Sequence, residues 1–174
     1  MNKPKRIDSV DALMIIQASC YPYNMIYQIM FETGFRISDV IQLKLKHVDL
    51  MKNMIIITEQ KSGKHRAVEI SAGLAKKFIE RSKFQGKEDY IFKSRNFYEN
   101  HINRATVHRH LKNICAGIGI DCSAHSFRAL YAQRIYNRTN SLKIVQEALN
   151  HSKSEITMAY VDENQKKELR ERYF

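Results

Sequence analysis

The sequence predicts a mainly α fold with one small antiparallel β-sheet, an α+β domain. Three observations predict it. Apolar residues recur at three- and four-residue spacing through most of the chain. The exception is one stretch in which two β-branched runs, MIIITE and HRAVEI, flank the polar, glycine-containing QKSGK, the pattern of a β-hairpin. The length of 174 residues suits a single core, since two smaller cores would each be marginal.

Residues 7–20 carry Val10, Leu13 and Met14 at helical spacing behind a cap at Asp8 or Ser9, which predicts an amphipathic first helix with those residues inward. Pro22 suits the opening position of a second helix, where Tyr23, Ile26, Tyr27 and Met30 repeat with the helical period as far as Thr33. Gly34 breaks the pattern. A third helix starts near Arg36 and turns Val40, Ile41 and Leu43 toward the core. The hairpin follows, with Lys61 and Lys64 on its turn. Helical periodicity returns over residues 72–83, YIF at 90–92 reads as a short strand, and residues 103–116 form a basic helix. The remainder is helical over 126–137, 141–149, 155–161 and 163–172, with Ser152 and Glu155 spaced for a capping box.

Lys and Arg total 29 against 18 Asp and Glu, a formal charge of +11 that favours a polyanionic partner, nucleic acid first and a membrane surface second. Spanning a membrane takes about 20 consecutive apolar residues, and MIII at 54–57 is a fragment of that. The basic start is followed by IDSVDALMIIQ, whose acids interrupt what a secretory signal keeps apolar, so a cytoplasmic protein is expected. Cys20, Cys115 and Cys122 are an odd set without a C-x-x-C pair, which argues against a disulfide framework or structural zinc and leaves buried or idle thiols. His108 and His110, two apart on a helix, do not face one another as metal ligands would. No metal and no cofactor is expected.

The chemistry-bearing residues fall in a few short motifs. TGFRISDVIQL sets Arg36 and Asp39 three apart, the hairpin turn supplies Lys61, HSFR supplies His125 and Arg128, and His151 in LNHS is followed nine residues on by Tyr160 in TMAY. A phosphodiester gathers negative charge on its non-bridging oxygens as it becomes pentacoordinate, so donors aimed there lower the barrier. Arginine suits that task, because it stays charged and its planar fork grips two phosphate oxygens at once. His125 and His151 titrate near neutral pH, so either can move a proton. A tyrosine hydroxyl can be the nucleophile if cations favour its phenolate or a histidine takes its proton. A lysine on a hairpin can protonate the leaving 5′ oxygen if a cationic pocket depresses its pKa.

In this order and approximate spacing, the motifs resemble the catalytic domain of the tyrosine recombinases, the phage integrase family, over residues 7–160. The resemblance implies that family's DNA breaking-rejoining fold, and roles for Arg36, Lys61, His125, Arg128, His151 and Tyr160 with Asp39 at a supporting acidic position. It also implies a covalent 3′-phosphotyrosine intermediate that stores bond energy, which explains why no G-x-x-x-x-G-K-[ST] nucleotide loop is needed. Double-stranded DNA is the implied partner, with self-association into a synaptic tetramer and accessory DNA-bending proteins. In the family the tail, here residues 162–174, commonly packs into a neighbouring subunit; an ordinary terminal helix packing in cis is the competing reading.

Each assignment has a structural competitor. Arg36 could pair with Asp39 on a solvated helix face, His125 could be only a helix cap, His151 only an interior histidine, and Tyr160 a core-edge aromatic. Lys64 rivals Lys61 on the same turn. Lys44, Lys46, Lys64, Arg104, Arg109 and Lys112 are candidate phosphate contacts, which fix position and salt dependence rather than sequence preference.

Two departures from the family pattern matter. Asn150 stands where the family commonly has glycine, and Asn is the next best residue at a helix end that turns left-handed. The catalytic pattern also starts almost at Met1, which predicts one catalytic domain over 1–174 without the family's N-terminal core-binding domain: a fragment of a longer integrase, or a naturally short member. A type IB topoisomerase is the nearest alternative, but such enzymes typically carry lysine where His125 stands. A DNA-binding regulator that kept the fold and lost catalysis is the other.

Overall fold

A computed structural model of the chain describes residues 6–94 and 100–150. The expected helices over 155–161 and 163–172, the Ser152–Glu155 box, His151, Tyr160 and the tail at 162–174 lie outside the described residues.

Helix α1 (Ser9–Ala18) starts where Asp8 and Asp11 cap each other, Asp11 N–H donating to Asp8 Oδ1 at 2.8 Å and Asp8 N–H to Asp11 Oδ2 at 3.1 Å. Its buried face corrects the expected one. Ala12 and Ile15 are fully buried against helix α2 (Tyr23–Thr33), whereas Val10, Leu13 and Met14 are 63%, 47% and 43% exposed. This helix is apolar almost all round, so period alone could not choose the face; small Ala12 lets α2 come close, and that choice turns Val10 outward.

Helix α2 begins one residue after Pro22 and buries Ile26, Tyr27, Ile29 and Met30. It ends at Gly34, whose φ of 62° lies in the left-handed region that glycine tolerates. Helix α3 (Ile37–Ile41) follows directly, with Arg36 as its N-cap and Val40, Ile41 and Leu43 buried as expected. A 3-10 turn (Leu45–His47) leads to strands β1 (Val48–Asp49), β2 (Met54–Thr58) and β3 (His65–Glu69), antiparallel in the order β1-β2-β3. The hairpin is in register at Thr58↔His65, and Gly63 at φ 66° makes its turn.

Helices α4 (Ala72–Ser82), α5 (Arg104–Gly117), α6 (Ala124–Thr139) and α7 (Leu142–Ala148) complete the described fold. Tyr90 makes an isolated bridge to Lys44 instead of the expected strand, because its antiparallel partner is one extended residue and not a run. Ile91 and Phe92 are buried there all the same. Phe78, Val107, Leu111, Phe127 and Leu130 join the α1–α3 side chains and Ile55 in one core, and Ala132, Tyr136, Val145 and Leu149 form a smaller one between α6 and α7.

The thiols are not all isolated. Cys115 Sγ in the last turn of α5 and Cys122 Sγ in the α5–α6 connection lie 2.8 Å apart, and burial pushes both pKa values up. His110 stacks on Tyr23 at 3.6 Å and meets the Tyr27 hydroxyl at 3.0 Å, while His108 meets Arg104, so the two imidazoles have different partners. Among the described residues no helix is long and apolar enough to cross a membrane.

Candidate active site

Four sequence segments far apart in the chain meet around one open cavity of about 430 Å³, lined among others by Arg36, Lys61, Arg104, His125 and Arg128. Local structure explains why each side chain arrives. In TGFR, the Thr33 hydroxyl donates to Ile29 O at 2.7 Å, Gly34 reverses the chain, and Phe35 is fully buried, so Arg36 is delivered to the cavity rim as α3 begins. In HSFR, Ser123 caps α6, its N–H donating to Ser126 Oγ at 3.0 Å. His125 therefore sits inside the first turn of α6 and is not the cap. Arg128, three residues on, shares its face.

Arg128 is buried and held at both ends of its fork. Nη1 donates to Gly34 O and Nη2 to Leu149 O, each at 2.6 Å. Two backbone carbonyls from different segments thus fix the guanidinium plane. Asn150, just past Leu149, has φ 52° and donates from Nδ2 to His65 O at 3.3 Å, so the left-handed end expected there is present.

Beneath the cavity lies a residue that motif reading passed over. Glu59 is fully buried, and its Oε2 accepts from Arg36 Nη1 and from Ser62 Oγ, both at 2.8 Å. Its Oε1 faces Arg66 Nη1 at 3.5 Å and Arg128 Nη1 at 3.9 Å. Burial alone would raise the Glu59 pKa; the Arg36 and Ser62 hydrogen bonds and the charges of Arg36 and Arg128 outweigh it and hold the carboxyl below its ordinary value. The signal was in the strand: Ile55 and Ile57 point inward on β2, and the same alternation carries Glu59 inward.

Arg36 pairs with Glu59, so the expected alternative of an Arg36–Asp39 pair on a solvated face is replaced. Asp39 is itself buried. Its Oδ1 accepts the Gln60 N–H at 3.1 Å, and Oδ2 has no hydrogen-bond partner. Burial, only partly offset by that hydrogen bond, raises its pKa. Asp39 therefore contacts the backbone beside Lys61 and not the cavity.

The two turn lysines separate. Lys61 lines the cavity, whereas Lys64 is exposed and outside the lining set. Arg104, at the start of α5, also lines it and donates from Nε to His108 Nε2 at 3.1 Å. Arg109 and Lys112 lie exposed further along α5. Lys44 and Lys46 are drawn to Glu88 at 3.6 and 2.7 Å, and Lys44 rests 4.8 Å over the Tyr90 ring, so neither joins the cavity. Partial burial, then the charges of Arg104, Arg128, Arg36 and Lys61, push the His125 pKa below the ordinary histidine value. A neutral imidazole among fixed cations is able to accept a proton. Two larger hollows, of about 860 and 640 Å³, lack this convergence. The first mixes Glu32, Glu69 and Glu147 with Arg134 and Arg138, whose opposite charges offset one another.

Comparison with known proteins points the same way. The model of a family described as the phage integrase family matches residues 5–167. The chain is 30% identical over 166 residues to tyrosine recombinase XerD of Lacticaseibacillus casei, covering 87% of this chain and 55% of that one. It is 32% identical over 130 residues to the probable integrase/recombinase YoeC of Bacillus subtilis strain 168, covering 74% of this chain and 71% of that one. Among solved structures, XerA recombinase superposes with a TM-score of 0.75 at 22% identity, over 99% of this chain and 66% of that one. XerH recombinase, in a post-cleavage complex with its palindromic difH substrate, gives 0.76 at 22% identity over 98% and 53%. At these identities the structural likeness is one of fold.

Proposed function

The chain belongs to the phage integrase family, and from that premise we propose that it is a site-specific DNA recombinase that cuts and rejoins strands by reversible transesterification. The observation that carries the proposal is the convergence of Arg36, Lys61, His125 and Arg128 from three segments on one cavity above a buried carboxylate. A net cationic hollow lined by the guanidiniums of Arg36, Arg104 and Arg128 fits a phosphodiester going through a more highly charged transition state.

In the proposed cycle the Tyr160 hydroxyl attacks the scissile phosphorus. The new bond joins tyrosine oxygen to phosphorus, and the bond from phosphorus to the 5′ oxygen breaks. Arg36 and Arg128 bind the non-bridging oxygens, with Arg128 locked by two carbonyls so that little reorganisation accompanies reaction. Lys61 gives a proton to the departing 5′ oxygen, and His125 or His151 receives the phenolic proton. Attack by a partner strand's 5′ hydroxyl on the 3′-phosphotyrosine reverses these steps and completes exchange. Asp39 supports the Lys61 turn through the Gln60 N–H. Arg104, Arg109 and Lys112 along α5 grip the duplex backbone, and copies of the chain assemble on DNA, in the cytoplasm, as a synaptic tetramer.

Covalent trapping on fragments of the source genome tests this reading. A protein–DNA adduct is expected with the native chain and none with Tyr160→Phe, which should still bind the DNA. An adduct of undiminished yield from Tyr160→Phe would refute the nucleophile.

A further inference from the structure

Taking the cavity as the strand-transfer site of the preceding section, we propose that Glu59 is a positioning residue that sets the Arg36 guanidinium and the Lys61 turn as one unit. The three arginines around Glu59 differ in what else holds them. Arg128 is fastened to Gly34 O and Leu149 O. Arg66 donates to Thr33 O at 2.5 Å and lies over the Phe35 and Tyr131 rings at 4.8 and 5.5 Å. Arg36 has its side-chain hydrogen bond on Glu59 alone among the described residues, and 22% of its side chain is open to the cavity. Removing the carboxylate therefore releases Arg36 while its two neighbours keep their own anchors.

The same residue closes the turn that carries Lys61. Glu59 N–H donates to Lys64 O at 3.0 Å, its carbonyl accepts from Gly63 N–H at 2.8 Å, and its carboxylate holds Ser62. The next residue, Gln60, is tied to Asp39 on α3. The arginine at the start of α3 and the turn lysine are thus linked through both the side chain and the backbone of one short segment. One anionic charge among three guanidiniums also offsets their mutual repulsion where water cannot screen it. Two N–H donors of Arg36 beyond the one used by Glu59, on Nε and Nη2, form an edge that can meet a phosphate without breaking the ion pair.

The test pairs a side-chain readout with a reaction readout. Nitrogen-15 NMR of the arginine Nη–H groups, one of which Arg36 gives to Glu59, is recorded for the native chain, Glu59→Gln, Arg66→Met and the double variant, the methionine removing the buried cation that Glu59→Gln alone would strand. A slowly exchanging Arg36 signal is expected in the native chain and in Arg66→Met, and its loss in both variants that carry Glu59→Gln. On fragments recovered by covalent trapping, the double variant should form adduct about 100-fold more slowly than Arg66→Met at saturating DNA, with half-saturation unchanged, the signature of a misplaced group and not of lost binding. An Arg36 signal that persists without Glu59 overturns the proposal. So does a rate loss that tracks lost DNA affinity or a melting temperature below the assay. Absence of any adduct from the native chain would sink the strand-transfer reading instead, and the NMR arm would still decide whether Glu59 holds Arg36.

Discussion

Arg128→Lys separates charge from geometry at the centre of the site. The substitution keeps the cation but replaces a fork that reaches two carbonyls, Gly34 O and Leu149 O, each at 2.6 Å, with a single ammonium. Lysine can satisfy one of them. Hydrogen bonds to charged groups contribute about 1.5–3 kcal/mol, and a buried acceptor left without a donor costs about 1–3 kcal/mol. The two figures overlap, since both describe one lost contact, so a net loss of about 2–4 kcal/mol is expected, and for a chain of this size each kcal/mol lowers the melting temperature by about 2–4 °C. The magnitude is large because Arg128 is 3% exposed, so water cannot take the missing donor's place. Thermal unfolding followed by circular dichroism should show a drop of roughly 4–16 °C. Adduct formation below the new melting temperature should fall by about 100-fold, since the phosphate loses a pre-set bidentate partner. A variant melting within a degree or so of the native chain, or forming adduct at the native rate, would refute the view that the fork and not the charge makes this site.

Gly34→Ala should be about as damaging: a left-handed conformation costs a residue with Cβ about 1–2 kcal/mol, and the added carbon would strike the Tyr131 ring, displacing a carbonyl that holds Arg128. Calorimetry checks the stability, and a melting temperature equal to the native one would show that Tyr131 gives way freely. Acidification should destabilise the fold, because His125, His108, His47 and His110 all have lowered folded pKa values, burial being the first cause in each. Their unfolded forms take up protons near 6.5, so stability is full above that pH and declines as pH falls through it toward the folded values. Proton NMR should place the His125 titration below 6.5, and a midpoint at or above that value would contradict the cationic environment drawn for it. Lys61→Ala should abolish adduct formation on ordinary DNA and be rescued by a 5′-bridging sulfur, whose departure needs no proton; failure of rescue would move the acid's role to another group, with Lys64 the neighbouring candidate.

Much of the molecule is determined by local sequence. The hairpin, the break at Gly34, the start of α3 at Arg36 and the left-handed Asn150 follow from β-branching, capping and φ preferences, which act over a few residues and need no tertiary partner. Arg36, Lys61, His125 and Arg128 stood out through motifs whose order and spacing resemble a family's, and the fold brings these four to one cavity. What period could not decide was direction in space. Helix α1 is apolar almost all round, and packing of Ala12 and Ile15 against α2 put Val10 and Leu13 outside. The choice between Lys61 and Lys64 at the cavity was likewise made by the way the turn folds over Glu59. The partners of the arginines are the clearest case: Arg36 looked nearest to Asp39 in sequence, yet it pairs across 23 positions with Glu59. A carboxyl in the core is held ionised where cations from other segments offset its desolvation, as at Glu59 and not at Asp39, and that balance exists only once α3, the hairpin and α6 have come together.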